Sequence, residues 1–337
     1  MFAPMDSWEN VNMTNKEQLK ISSLTGFLHG FESYRWLWVA TAVALLAAIP
    51  AFVDTSWVSL LCEVLILTVA ASGLNLLIGY TGMISFGPAG LYAVGAYSMA
   101  VLIVKVGAPF GLAFIAGPVA ATAVSLVIGW FCVRRTAVYF ALLTLAFSQL
   151  IHTIFFKWYG LTGGDDGIVE ILVPEFLFSI ENYYYFALAC TIVSLLVMWL
   201  IVNSPFGKAL QVIRENRGRA EFIGINVRKY QLIIFTIQGF FLGVAGSLLC
   251  GFNHNVFPPI ANWTESIHII IACLLGGMFH FFGPFIGSIA FILLDRVVTN
   301  CTEYSSLVLG IIVVLLVLFF RGGIAGVFSE KLSDGRH

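Results

Sequence analysis

Apolar runs of about 20 residues recur along this chain, and they constrain its fold more than any other feature. A helix needs about 20 mostly apolar residues to cross roughly 30 Å of hydrocarbon. The chain is 59% hydrophobic and only 10% charged, with a mean hydropathy of +0.94. A water-soluble domain of 337 residues cannot bury that much apolar surface. The sequence therefore predicts an all-α membrane protein.

The apolar pattern predicts about ten transmembrane helices, some of them broken or re-entrant. Residues 1–35 are expected to form a cytoplasmic N-terminal segment, either with an interfacial helix or as a partly ordered tail. Residues 36–328 are expected to form the membrane domain, and residues 329–337 a cytoplasmic tail. The ten predicted spans are 36–53, 57–79, 89–103, 110–133, 137–156, 183–202, 231–251, 267–280, 285–298 and 306–320.

Basic residues fall on one side of these spans. With the N-terminus placed inside, 14 of the 17 Lys and Arg residues lie in inside segments, and only Lys105, Lys157 and Arg296 lie outside. Cytoplasmic loops carry such an excess of positive charge, so both termini are expected in the cytoplasm. The two short runs between residues 265 and 298 form either two thin spans or one re-entrant hairpin, and both options preserve this orientation.

A glycine-rich stretch at residues 73–97 interrupts the apolar pattern. Irregular backbone at membrane depth is tolerated where protein or a water-filled cavity covers it, and broken helices often line transport paths. The alternative is close helix packing through small residues. The candidate path residues in this stretch are Asn75, Tyr80, Gly82, Ser85 and Phe86.

A polar stripe follows in the fifth predicted span. Thr144, Ser148 and His152 recur every four residues and so share one helix face. Polar groups in lipid normally face protein or a water-filled path. These three residues are therefore added to the candidate path, with hydrogen bonding between helices as the alternative for Thr144 and Ser148.

An outside loop carries two adjacent carboxylates among glycines. Its spacing does not match a Ca²⁺-binding EF-hand loop, because ligands at alternating positions are missing. We expect no metal site here, and the six cysteines show no Cys/His spacing typical of one. The sequence favours a tight exposed turn that contacts an external partner through Thr162, Gly163, Gly164, Asp165 and Asp166.

The longest charged segment is the inside loop at residues 203–229. A helix is expected over residues 208–217, Gly218 would interrupt it, and a second helical turn at residues 220–223 would end at Gly224. Such a helix pair is a suitable docking surface for a cytoplasmic protein. The alternative is an ordinary positively charged inside loop.

Six stretches match one known family in their order along the chain. They are GLNLLIGYTGMISFGPAGLYAVGAY (73–97), YFALLTLAFSQL (139–150), TGGDDGI (162–168), RENRGRAEFIGINVRKYQL (214–232), LLGGMFHFFGPFIGSIAF (274–291) and LVLFFRGGIAGVF (316–328). Together they resemble the LivM-type permease subunits of branched-chain amino-acid ABC importers, a family that also includes urea and short-chain amide permeases.

The resemblance implies the ABC importer permease fold in a bacterial inner membrane. It implies four kinds of contact: the lipid bilayer, a second related permease, two cytoplasmic ATPase subunits and a periplasmic solute-binding protein, which would meet the Thr162–Asp166 turn. ATP and Mg²⁺ would bind to the ATPases, so no cofactor is expected in this chain, and nothing points to nucleic acid. By correspondence with the family, the ATPase-coupling residues are Arg214, Glu215, Ala220, Gly224, Ile225 and Asn226.

The expected solute is a branched-chain or other small apolar amino acid, with urea or a short amide as the alternative. The chain is not expected to be an enzyme, because the sequence contains no Walker A pattern and no HExxH motif. An ion-coupled secondary transporter is a distant alternative. It would need several buried acidic residues, and the spans offer only Glu63 and Asp295.

Overall fold

A computed structural model of the protein describes residues 46–51, 53–134, 137–301, 307–308 and 310–311. The chain divides into two units, Met1–Val53 and Asp54–His337. In the first unit, the described residues form a short helical stretch that ends in the 3-10 turn Ile49–Ala51. The predicted N-terminal segment, the C-terminal tail and most of spans 36–53 and 306–320 lie outside the described residues.

Besides a four-residue helical turn at Tyr159–Thr162, the described part of the second unit has ten α-helices. In chain order they are α1 (Thr55–Thr81), α2 (Pro88–Val106), α3 (Phe110–Cys132), α4 (Ala137–Lys157), α5 (Ile180–Asn203), α6 (Pro205–Glu215), α7 (Arg217–Phe222), α8 (Val227–Asn253), α9 (Trp263–Gly276) and α10 (Gly283–Cys301).

Seven of these helices are long and apolar enough to cross a membrane: α1 to α5, α8 and α10. Over the described ranges there is no strand beyond an isolated bridge between Ile168 and Val256. The prediction of an all-α membrane protein is therefore confirmed. The count of about ten spans is not confirmed.

Helix α8 lies at the centre of the second unit. It packs against α1, α2 and α3, and small residues line these contacts. Helices in lipid gain little from the hydrophobic effect between them, so close backbone approach supplies much of their association. Helix α1 is mostly buried by protein, whereas α4, α5 and α10 keep most of their surface open. Those three helices are available to lipid or to a partner subunit.

Helix α9 differs in its bounds from the predicted span at 267–280. It has 14 residues, so its length is about 21 Å at 1.5 Å per residue, too short to cross the hydrocarbon alone. It begins at Trp263, whose N–H donates a hydrogen bond to the side chain of the preceding Asn262 at 2.7 Å. The non-helical residues 254–257 and the 3-10 turn Pro258–Ala261 precede it.

The two ends of this broken passage lie at opposite ends of the bundle. Val256 pairs with Ile168 in the loop that follows α4. At the other end, the turn at residues 277–282 contacts Gly79 near the end of α1 and Arg214 of α6. Residues 254–276 and α10 therefore traverse the bundle in opposite directions. This geometry matches two separate passages, because the turn between them reaches the α6 end of the bundle, which a re-entrant hairpin would not reach.

Candidate functional site

Helix α1 ends where the glycine-rich stretch was predicted to break it. Gly82 adopts the left-handed conformation with φ +71° and donates a hydrogen bond to the Ile78 carbonyl at 3.0 Å. The next residues are non-helical until Pro88, which opens α2. Proline suits a first helical position because its missing N–H would have no helical partner there. We call residues 82–87 the first break.

Side chains from other helices hold the first break. The Phe86 N–H donates to Thr144 Oγ1 of α4 at 3.2 Å. The Ala89 N–H, one of the unpaired donors at the start of α2, donates to Ser266 Oγ of α9 at 3.2 Å. The break is therefore supported by polar partners on two different helices.

Helix α4 also holds the second irregular segment, residues 254–262, which we call the second break. Ser148 Oγ donates to the Ala261 carbonyl at 3.3 Å. Thr144 and Ser148 are both buried, so one helix face contacts both breaks. His152 is half-buried and stacks on Phe156 of its own helix, with ring centroids 6.2 Å apart. The structure thus brings Thr144 and Ser148 to the breaks but gives His152 no contact there.

Asn75 ties α1 to α9 and to the turn that follows α9. Its Nδ2 donates to the His280 carbonyl at 3.3 Å, and Cys273 Sγ donates to its Oδ1 at 3.6 Å. Cys273 and His280 are path neighbours that the sequence did not indicate. Cys273 stands in a plain apolar run, and His280 acts through its backbone carbonyl, which carries no side-chain signal. Of the other candidate path residues, Ser85 is buried, Tyr80 is half-buried, and Gly82 and Phe86 are exposed.

The TGGDD turn lies at the opposite end of the bundle from α6. Thr162 is buried and donates to the Phe155 carbonyl at 2.6 Å, and Gly164 is also buried. Asp165 and Asp166 are exposed, and Gly163 is half-buried. Of the five residues predicted to contact an external partner, the two aspartates offer side chains to one.

The charged segment forms two helices, and its break differs from the prediction. Helix α6 ends at Glu215 and α7 begins at Arg217, so the interruption is at Asn216 and not at Gly218. Asn216 is extended, and its Oδ1 accepts a hydrogen bond from the Arg219 N–H at 3.0 Å. An asparagine that caps a new helix outweighs a glycine inside that helix, which costs only about 1 kcal/mol.

This segment has a small core of its own. Ile213, Ala220 and Val227 are buried together, and Ile225 packs against them. Ala220 and Ile225 therefore help to hold the segment together, and Ile225 is only half-buried. Asn226 is exposed, and its Oδ1 caps α8 by accepting from the Lys229 N–H at 3.2 Å.

The exposed face of the segment includes two apolar side chains that sequence analysis missed. Phe222 is 93% exposed and Ile223 is 68% exposed. Glu215 and Gly224 of the same segment are also exposed. Two exposed apolar side chains among charged ones are typical of a contact surface. Their sequence signal was weak, because a Phe-Ile pair in a membrane protein is unremarkable by composition.

Arg214 is exposed, and its side chain also reaches the membrane helices. Its guanidinium donates to the Gly79 carbonyl of α1 and lies over the Phe279 ring, 5.2 Å from the centroid. Its side chain also lies against Gly82. The contact of Arg214 with an ATPase stays a prediction. Within the described part of the chain, no group of three or more His, Cys, Asp or Glu residues could hold a metal ion.

Comparison with known proteins gives consistent matches. A family described as branched-chain amino acid transport system, permease component, matches residues 56–317. The high-affinity branched-chain amino acid transport permease LivM of Escherichia coli K12 is 27% identical over 324 residues, covering 88% of this chain and 76% of that protein. The corresponding LivH of the same strain is 25% identical, covering 76% of this chain and 90% of LivH. The E. coli K12 xylose permease XylH is 27% identical over 117 residues, 34% of this chain. No solved structure matches.

Proposed function

This chain belongs to the family of branched-chain amino acid transport permease components, and from that premise we propose that it is the membrane permease subunit of an ATP-driven importer. The proposed solute is a branched-chain or other small apolar amino acid. One observation supports a transport path in this chain above all others. Two breaks in the helical backbone, at residues 82–87 and 254–262, are held side by side against the polar face of α4.

The breaks suit a path because they supply polar groups without supplying fixed charge. Broken helices present backbone N–H and C=O groups that can meet a polar solute inside a membrane. The α4 side chains that hydrogen-bond to them, Thr144 and Ser148, are neutral, and Arg214 lies against Gly82 at the start of the first break. Weak neutral contacts suit a subunit that must release its solute on every cycle. A separate solute-binding protein would then supply most of the specificity.

The α6–α7 segment is the proposed contact with the ATPase subunits. Glu215, Phe222 and Ile223 are exposed on it, and Arg217 pairs with Glu221 at 3.2 Å on the same surface. The buried trio Ile213, Ala220 and Val227 makes the segment a compact unit. A compact docking unit can transmit a displacement imposed by a partner to the membrane helices. In this proposal its partners are two ATPases and a second permease in a bacterial inner membrane, with both termini cytoplasmic.

A urea or short-amide importer is the second candidate, because the polar side chains around the breaks are neutral hydrogen-bonding groups. An amino acid also brings an ammonium and a carboxylate, which would have to be met by backbone dipoles and water. Urea would need neither.

Uptake measurements separate the two candidates. Cells with and without this gene are compared for uptake of labelled leucine and labelled urea at micromolar concentrations. We expect leucine uptake to fall on deletion and to return with a plasmid copy. Loss of urea uptake with leucine uptake intact would overturn the amino-acid assignment in favour of the second candidate.

A further inference from the structure

We propose that Arg214 is a positioning residue that acts as a latch at the α6 end of the membrane path. It links the end of α1 to the turn between α9 and α10, and it transmits motion of α6 to both. This inference rests on the proposed function. It assigns Arg214 a role inside the permease instead of a direct contact with an ATPase.

Three contacts place Arg214 between the two sides. Its guanidinium donates to the Gly79 carbonyl, three residues before the first break. Its aliphatic stem lies against Gly82, the first residue of that break. The guanidinium also covers the ring of Phe279, in the turn that joins α9 to α10. One side chain therefore contacts both segments.

The physical chemistry of these contacts favours an arginine. The last four carbonyls of a helix lack partners within the helix, and the C-terminal end of a helix carries a partial negative charge. Gly79 lies in the last turn of α1, so its carbonyl accepts readily from a cation. A planar guanidinium can donate in its plane and stack on an aromatic ring with its face, which an ammonium cannot do.

The contacts converge where α1 and the α9–α10 turn touch. A Cβ atom on Gly79 would collide with the Met278 carbonyl oxygen, so these backbones are already in contact. If the two segments separate to release solute at this end, Arg214 must lose either its hydrogen bond to the Gly79 carbonyl or its contact with the Phe279 ring. A residue that loses a contact on opening favours the closed state.

Helix α6 connects this latch to the exposed docking surface. Ser204 caps α6 by accepting from the Gly207 N–H at 3.3 Å, and the helix runs to Glu215 without interruption. Arg214 and Glu215 are adjacent, with Glu215 exposed. A displacement of the docking surface therefore moves Arg214 along with it.

The test uses the complete transporter reconstituted in liposomes with its partner permease, ATPases and binding protein. Leucine uptake and ATP hydrolysis are measured together, and the ratio of the two is the readout. We expect Arg214→Ala to lower leucine moved per ATP by about tenfold, the effect of losing one charge-assisted hydrogen bond. Arg214→Lys, which keeps the charge and a donor, should fall between. Lys157→Ala removes an exposed charge at the opposite end of the bundle and should stay within about twofold of wild type.

A second variant keeps the test decisive if Arg214→Ala does not assemble. Phe279 is 59% exposed, so Phe279→Ala removes the ring face without opening the core. It should lower the same ratio, and combining it with Arg214→Lys should give less than the product of the single effects. Wild-type ratios for Phe279→Ala and Arg214→Lys would overturn the latch while leaving the permease assignment standing. A wild-type complex that hydrolyses ATP without moving leucine would overturn the proposed function itself.

Discussion

Gly95 of α2 and Gly243 of α8 touch through their backbones. A Cβ atom added to Gly95 would lie 2.5 Å from the Gly243 carbonyl oxygen and 2.6 Å from its Cα. Real Cβ atoms do not approach backbone so closely, so a side chain here must force two helices apart. The contact lies in the central packing of α8, on which the positions of both breaks depend.

Gly95→Ala should therefore destabilise the folded permease by about 1–3 kcal/mol, the usual cost of overpacking a well-packed core. Thermal unfolding of the detergent-purified chain measures this. Gly111→Ala is the matched control, because a Cβ at Gly111 meets nothing within 4 Å. Equal thermal stability of the two variants would contradict the close approach of α2 and α8.

Thr144→Val should weaken the support of the first break. It removes the acceptor for the Phe86 N–H while keeping the side-chain shape. An unpaired donor in a fully buried site costs about 1–3 kcal/mol, and this part-buried site sets that range as an upper bound. We expect lower thermal stability and slower leucine uptake, measured on the same preparations. Thr144→Ser keeps the hydroxyl and should retain most of the uptake. A serine variant as impaired as the valine variant would show that the methyl group matters and the hydrogen bond does not.

Gly224→Ala should impair coupling by a conformational effect alone. Gly224 has φ +87°, and a Cβ there would meet nothing within 4 Å. The left-handed conformation costs an ordinary L-residue about 1–2 kcal/mol, and asparagine tolerates it better. We therefore expect leucine uptake in the order glycine, asparagine, alanine, at equal membrane abundance. If the alanine variant takes up leucine as fast as wild type, the left-handed conformation at Gly224 is not required for coupling.

Phe222→Asp should weaken binding of the ATPase subunits, because it places a charge where an apolar contact is proposed. The measurement is the amount of ATPase that copurifies with the tagged permease in detergent. Leu172→Asp is the control, since Leu172 is 78% exposed but lies in the loop at the opposite end of the bundle. The control should retain its ATPases. If Phe222→Asp also retains them, the contact lies elsewhere on the segment.

Cysteine labelling tests the orientation. In a Cys301→Ser background, which removes an exposed thiol, Asp166→Cys should react with a membrane-impermeant maleimide in intact spheroplasts. Arg219→Cys should react only after the membrane is opened, because its loop carries the excess positive charge of a cytoplasmic segment. The reverse labelling pattern would show that the topology is inverted and that the docking surface lies outside.

Local signals in the sequence were sufficient for most of the long helices. The predicted span 110–133 compares with Phe110–Cys132, and the predicted span 89–103 with Pro88–Val106. Lipid acts on each segment separately, so apolar length reports a spanning helix without knowledge of its neighbours. The same property explains why the helix bounds differ from the predicted span 267–280. Hydropathy there is continuous, while the helix itself begins at Trp263 and stops at Gly276.

The α6–α7 segment shows a different limit. Its helix–break–helix order was correct, but the break falls at Asn216, because both Asn216 and Gly218 carry local signals and only the cap geometry decides between them. The assignment of Ala220 and Ile225 to a docking surface was an inference from position in a motif. Their burial against Ile213 and Val227 depends on how the chain folds back on itself.

The sequence by itself determined three things: the chain is a helical membrane protein, its glycine-rich stretch breaks a helix, and it belongs to the permease family. The first two depend on composition and spacing within one segment, and the family on six stretches in order along the chain. Only the tertiary structure decided that one face of α4 supports both breaks, and that Arg214 contacts α1 and the α9–α10 turn. These contacts join residues far apart in the chain, and apart from the Phe279 ring their partners are backbone carbonyls and amides. Every residue has a backbone carbonyl, so no pattern of side chains could have identified those partners.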